Sequence, residues 1–457
     1  MNKFHFIDWI ILCSYGIIII YIGIFRSKSQ SKSLEEFFLN GRRLSLGGFV
    51  ATLVTTWYGG ILAIGENTFL YGIQTWFIFA LPYYIFALAY TFFIAPKIRK
   101  KEFLSIPDQF RYYYGRSAGI LSAILITFLA SPAPYILSMG ILLQYLFGLN
   151  LGSALLISTI FSVSYVWNGG FSSIVKTDLI QFFLMFFGFF LLIAFSWNLI
   201  GSPINLLKLI PQGHLKPSGG NTIQYILVWF FLAAWTFIDP GFYQRCAAAK
   251  SVKVAKNGLL MSIGFWAIFD LLTLLCGLYS VALIQTNQPL FSFLMLGQHV
   301  LPIGIFGLFI IGILATIMST IDSLTLICAF TFGYDILWHI QNIKSKSDSI
   351  RLVRKGLIIV SFISIIMAFL IPSVVKLFYS IGSILIPGII LPFILTLIKD
   401  KISLSEQAVI QWILIPVLIS FIWFVFSQIK QQPLFGIEPF YPGMAASFLF
   451  FILFLKK

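Results

Sequence analysis

Residues 57–60 read Trp-Tyr-Gly-Gly, in the middle of an apolar stretch that runs from about 46 to 72, and Gly65-Glu66 follow. Paired glycines weaken a helix, because glycine loses the most conformational freedom on ordering. In hydrocarbon, a broken helix is tolerated only where the freed backbone is buried in protein or lines a cavity. A second interruption, Asp239-Pro240-Gly241, ends an apolar stretch at about 223–239. Counted along the chain, the breaks fall in the second and the seventh apolar stretch. Interrupted helices at corresponding positions of two halves point to a solute site between inverted repeats. The halves show no clear sequence identity, so the symmetry is inferred from spacing.

The rest of the chain fits a membrane protein. Of 457 residues, 59% are hydrophobic and 10% charged. Recurrent apolar stretches of about 20 residues read as membrane-spanning helices. The alternating short strands of a membrane barrel are not seen. The expectation is an all-α membrane protein of about 13 spans, each needing roughly 20 apolar residues. They lie near 6–25, 46–72, 74–95, 118–147, 151–168, 174–199, 223–239, 257–285, 301–332, 355–372, 376–398, 405–427 and 440–455. The first lacks a basic leader and a small-residue cleavage site and reads as a retained span. Connections are short, so one transporter-like domain over 1–457 is expected. Cys13, Cys246, Cys276 and Cys328 are scattered and carry neither metal spacing nor a disulfide framework.

The formal net charge of +15 could suggest nucleic acid. The positions of the charges argue otherwise. With the N-terminus outside, the inward loops hold Arg26, Lys28, Lys32, Arg42 and Arg43, the cluster Lys97 to Arg116, Lys176, Arg245 to Lys256, Lys344 to Lys355, Lys399 and Lys401, and the terminal Lys456 and Lys457. Only Lys3, Lys208, Lys216, Lys376 and Lys430 fall on the other side. This asymmetry predicts N-out and C-in topology and attraction to anionic lipid headgroups, with no nucleic-acid partner.

Polar groups at membrane depth are functional candidates. Residues 315–323 read Ala-Thr-Ile-Met-Ser-Thr-Ile-Asp-Ser. The adjacent hydroxyls of Ser319 and Thr320 suit a dehydrated monovalent cation, or equally helix packing, where Ser and Thr are common. Four acids lie well inside spans: Glu66, Asp178, Asp270 and Asp322. Glu66 divides between a structural and a substrate role. Asp178, beside Lys176, reads as a gating or helix-end residue. Asp270 is the most isolated and could carry a proton. Asp8 and Glu406 read as interfacial, as do His5, His214, His299 and His339. Trp57, Trp229 and Trp235 could stack on a substrate. The chain lacks His-Glu-x-x-His, Gly-x-Ser-x-Gly and Gly-x-Gly-x-x-Gly, so an enzyme is not expected. Gly333-Tyr334-Asp335 gives half of an intramembrane aspartyl protease motif, without its partner. No phosphate-binding loop supports ATP-driven pumping.

Several segments, in order, resemble the sodium:solute symporter family, which includes sodium-coupled proline, sugar, pantothenate, sialate and iodide transporters. They are Glu35 to Leu44, Thr55 to Gly65, Ile106-Pro107-Asp108-Gln109-Phe110 with Tyr113, Tyr114 and Gly115, Gly169 to Asp178 with Gln181, Gln244 to Ser251, and Met318 to Ser323. Each is weak alone; together they are specific, over roughly 30–340.

The resemblance implies a leucine-transporter-like architecture of two inverted five-helix repeats with broken first helices. Spans 2–6 (about 46–199) and 7–11 (about 223–398) would be the repeats, flanked by spans near 6–25, 405–427 and 440–455. It implies sodium as coupling ion, held by the carbonyls of Thr55, Tyr58 and Thr316 and the hydroxyls of Ser319 and Thr320. Asp178 would sit on the cytoplasmic exit path. Asp322 is expected to shape the site rather than bind the ion.

Candidate substrate contacts are Trp57, Leu62, Glu66, Trp235, Thr236 and Asp239; candidate coupling or gating residues are Asp178, Asp270 and Asp322. Thr316 stands where the family often has alanine, and Leu62 where sugar transporters have a polar group. The expected function is sodium-coupled symport of a small organic solute by alternating access in a plasma membrane, such as a bacterial inner membrane. No organic cofactor or obligate protein partner is expected. Proton coupling through Glu66 or Asp270 is the alternative. A membrane sensor is a third reading, expected to append a signalling domain where only Lys456 and Lys457 follow the last span.

Overall fold

The computed structural model describes residues 4–24, 33–341 and 346–455. Among the loop cations read for topology, Lys3, Arg26, Lys28, Lys32, Lys344, Lys456 and Lys457 lie outside the described residues. Among the described residues the chain is helical, without a named strand; one parallel bridge joins Leu44 to Ala249. Among the described residues, ten helices are long and apolar enough to cross a membrane. Three shorter apolar helices, Leu46–Thr55, Leu151–Ser164 and Phe440–Leu455, accompany them. The helices that matter for the site are α1 (Phe6–Ile24), α2 (Leu46–Thr55), α3 (Ile61–Tyr71), α4 (Leu151–Ile200), α5 (Ile223–Leu232), α6 (Pro240–Ala248), α7 (Val252–Leu283) and α8 (Ile305–Phe330).

The break expected at 57–60 separates α2 from α3. The Ser45 hydroxyl caps α2 by accepting from the Gly48 N–H, a favoured use of serine. At Thr55 the helix stops, and its last carbonyls need new partners. Gly59 then allows a close crossing: a Cβ there would lie 2.6 Å from the Thr320 Cβ of α8.

The second break differs from the sequence expectation. The seventh stretch does not end at Asp239. It runs as α5, tightens into a 3-10 turn over Ala233–Ile238, and continues as α6. Asp239 is extended (φ −67°, ψ 117°), and its Oδ1 accepts from the Phe242 N–H at 2.9 Å. Proline at the first helical position starts a helix without losing a bond, because that N–H has no intrahelical partner. Arg245 therefore lies not in a cytoplasmic loop but on α6, fully buried.

The stretches expected at 151–168 and 174–199 meet within α4 at a kink, Gly170 (φ 54°, ψ −150°), which divides it into two helices; their apolar parts are Leu151–Ser164 and Gly169–Ile200. A Cβ on Gly170 would lie 2.9 Å from Phe37 Cδ2, so both the positive φ and the close approach require glycine. Asp8, expected at the interface, is 1% exposed. Its Oδ1 accepts from the N–H groups of Gly304 and Gly307, both at 2.9 Å, where α8 begins. A carboxylate is favourable there, because the first N–H groups lack partners and the helix dipole is positive. Helix α1 thus caps α8.

Helices α4 and α8 pack along their length. They meet where a Cβ on Gly188 would stand 3.2 Å from the Gly312 Cα. Small residues at such crossings let backbones approach without lipid between them. The result is a closely packed α4–α8 wall against which the broken helix lies.

Candidate functional site

The end of α2 meets the middle of α8. Ser319 Oγ donates to the Thr55 carbonyl at 2.9 Å and to the Thr316 carbonyl at 3.1 Å. Thr320 Oγ1 reaches the same two carbonyls at 3.4 and 3.2 Å. Thr55, Thr316, Ser319 and Thr320 are fully buried. A hydroxyl can donate to a carbonyl or turn its lone pairs toward a cation. These four groups can therefore satisfy one another or jointly surround a small cation. Tyr58 is placed differently: its carbonyl accepts from the Ile61 N–H at 3.0 Å and its phenol donates to the Trp266 carbonyl at 3.2 Å. Asp322 and Ser323 continue the buried face of α8.

Beside this pair lies a charged network that the sequence reading missed. One Arg245 nitrogen, Nη2, donates to Thr52 Oγ1 (2.9 Å), Thr56 Oγ1 (2.9 Å) and Ser323 Oγ (2.7 Å). The other, Nη1, reaches Gln244 Oε1 at 3.0 Å. The Thr52 hydroxyl in turn donates to Asp178 Oδ2, so it bridges a buried guanidinium and a buried carboxylate. The planar fork of arginine suits several fixed acceptors at once. The network joins α2, α4, α6 and α8. Its signal was present in the sequence: Asp239-Pro240 is a helix-start pair, which carries the helix past Arg245.

A cavity of about 120 Å³ opens on the other side of the first break. Trp57, Trp235 and Asp239 line it, as does Trp229. Asp270 also lines it, and its Oδ2 accepts from the Tyr84 hydroxyl. Leu62, Glu66 and Thr236 are not among the lining residues. Tyr83 and Tyr135, which no sequence signal distinguished from other aromatics, complete the wall. Trp57 and Tyr83 stack edge-on with centroids 4.9 Å apart.

Two helices broken at their middles, with a buried polar pair at one break and a cavity between both, define a class: membrane transporters of the leucine-transporter-like fold. The substrate-bound outward-open structure of a sodium-coupled sialic acid symporter superimposes with a TM-score of 0.81, at 18% identity, over 99% of this chain and 97% of that one. The family model for the sodium:solute symporter family matches residues 37–405, and the chain belongs to that family. Curated relatives include the high-affinity choline transporter 1 of Drosophila melanogaster, 25% identical over 85% of this chain and 66% of that protein. Another is the sodium-coupled monocarboxylate transporter 2 of Mus musculus, 23% identical over 75% of this chain and 60% of that protein. The chain thus spans less than two thirds of the length of these relatives. It is an integral membrane protein of a transporter family and not an enzyme.

Proposed function

We propose that the chain is a sodium-driven symporter that imports a small organic solute by alternating access. The observation that carries this reading is the Thr55 carbonyl, released at the end of α2 and met by the Ser319 and Thr320 hydroxyls of α8. Sodium at that point would tie the broken helix to the α4–α8 wall through neutral oxygens. With no fixed counter-charge in direct contact, the ion can also leave. Thr316 would add a third carbonyl. The Tyr58 carbonyl would join after giving up its Ile61 partner. Asp178 would sit on the ion's exit path, with Asp322 shaping the site from behind.

In this reading thirteen spans cross a plasma membrane, N-out and C-in, with repeats over about 46–199 and 223–398. The bacterial inner membrane is the expected location. One charge moving inward gains about 2.3 kcal/mol per 100 mV, enough for roughly 50-fold accumulation. Uptake into proteoliposomes with and without a sodium gradient is the test. Equal uptake in potassium would remove sodium from the mechanism. Asp270 in the cavity wall, held by Tyr84, supports a second reading of proton coupling. Uptake driven by a pH gradient in the absence of sodium, and lost in Asp270→Asn, would select it.

A further inference from the structure

We propose that the transported solute is an organic cation, a substituted ammonium bearing a hydroxyl, which rests on the reading of this cavity as the solute site. Four observations of the cavity point there. Its walls are aromatic faces: Trp57, Tyr83, Tyr135 and Trp235 all line it. Its two charged lining groups are both acidic, Asp239 and Asp270. Among the described residues no Lys, Arg or His lines it. Trp229, 2% exposed, also lines it, and its indole N–H has no acceptor among the protein atoms.

Together they exclude two classes of solute and fit a third. A carboxylate or other anion would face two like charges without a basic partner, and unmatched like charge is a strong discriminator. A sugar needs a fan of paired polar groups around its ring, and few polar lining groups are present to match it. A substituted ammonium fits all four. Its diffuse charge is attracted by the negative faces of aromatic rings, which form the usual cage for such groups. The carboxylates supply long-range attraction; Asp239 accepts from the Phe242 N–H and Asp270 from the Tyr84 hydroxyl. A hydroxyl on the solute would give the Trp229 N–H the acceptor that a buried indole usually finds. Arg245 does not line the cavity, and its Nη1 and Nη2 groups are taken up by Gln244, Thr52, Thr56 and Ser323 behind the break.

The test uses the full chain purified into lipid nanodiscs. Melting temperature and binding isotherms are measured with choline, its uncharged carbon isostere 3,3-dimethylbutan-1-ol, proline, pyruvate and glucose, each in NaCl and in KCl. The expected result is stabilisation by choline in NaCl and none by the isostere. Trp57→Leu and Trp235→Leu should each weaken choline binding about tenfold, and Asp270→Asn supplies a third, smaller change should either tryptophan variant fail to fold. Equal stabilisation by choline and its isostere, or no stabilisation by choline, overturns the assignment. The underlying reading fails separately. Choline binding that is equal in NaCl and KCl keeps the solute class and removes sodium. Sodium-dependent binding of proline or pyruvate keeps sodium and removes the class.

Discussion

The two broken helices solve the same problem with opposite chemistry. At the first break, between α2 and α3, every group around the freed carbonyl is neutral: Thr316, Ser319 and Thr320 share the Thr55 oxygen and one another. At the second, between α5 and α6, a carboxylate caps the new helix and a guanidinium anchors it to α2 and α8, and through Thr52 to Asp178 of α4. Neutral oxygens hold a cation through modest terms that can be exchanged. A buried charge, by contrast, is costly to strand and therefore stays where its partners are. In the proposed mechanism the first break releases its ion, while the second holds its geometry.

The largest expected effect is at the anchor. Arg245→Met should leave Asp178 buried with only Thr52 and should leave Ser323 and Thr56 without their shared donor. Breaking one side of such a buried network costs about 3–5 kcal/mol. The expected outcome is a melting temperature far below that of the parent protein, or no monodisperse protein, read by fluorescence-detected size exclusion. Arg245→Lys should recover part of the loss, since an ammonium cannot reach all four acceptors as a fork does. A parent-like melt for Arg245→Met would mean that the second break needs no charged anchor.

The neutral break should respond in affinity rather than in folding. Ser319→Ala and Thr320→Ala each remove one oxygen from the cation set, for about tenfold in sodium affinity apiece, and together roughly a hundredfold. Melting without sodium should move little. Sodium titration of the melting temperature separates the two quantities, because a ligand stabilises only the state that binds it. Unchanged sodium dependence in the double variant would reduce the pair to helix packing.

Gly59→Ala tests whether the geometry of the break matters as much as its oxygens. The new methyl would run into the Tyr135 ring and lie 2.6 Å from the Thr320 Cβ, so the break must move away from α8 or both Tyr135 and Thr320 must turn. Overpacking of this kind costs about 1–3 kcal/mol. The expected outcome is weaker sodium binding with all five oxygen donors still in the sequence. A sodium response equal to the parent's would show that the contact can relax without moving the carbonyl.

What the sequence disclosed and what it hid follow the same division. The first break was legible, because adjacent glycines at 59 and 60 weaken a helix in hydrocarbon, and Ser319-Thr320 stands out in an apolar helix. The second was half legible. Asp239-Pro240 marked a break, but an arginine near a span end looks the same as an arginine on a basic loop. Only the continuation of α6 distinguishes them. The cavity was the least legible part. Trp57, Trp235 and Asp239 line it, whereas Leu62, Glu66 and Thr236 do not. These residues sit next to unwound backbone, where the helical phase resets. A spacing of 3.6 residues cannot be carried through five non-helical residues, so which face points to the solute was not recoverable from periodicity.

Asp8 offers the smallest expected effect and a control for the comparison. It is a fixed anchor like Arg245, but at the start of α8 rather than at a break. Its carboxylate takes the N–H groups of Gly304 and Gly307, and its other oxygen takes the His5 N–H at 3.0 Å. Asp8→Ala removes this cap and leaves the buried N–H groups near Gly307 to find water, for about 1–2 kcal/mol. Asp8→Asn should cost less, because its amide oxygen still accepts though the charge is lost. Neither substitution alters an oxygen near Thr55. Melting should fall by a few degrees in both, while the sodium increment to the melt stays that of the parent. A lost increment would mean that the start of α8 and its Ser319-Thr320 pair move as one body, and the neutral break would then depend on a charged anchor after all.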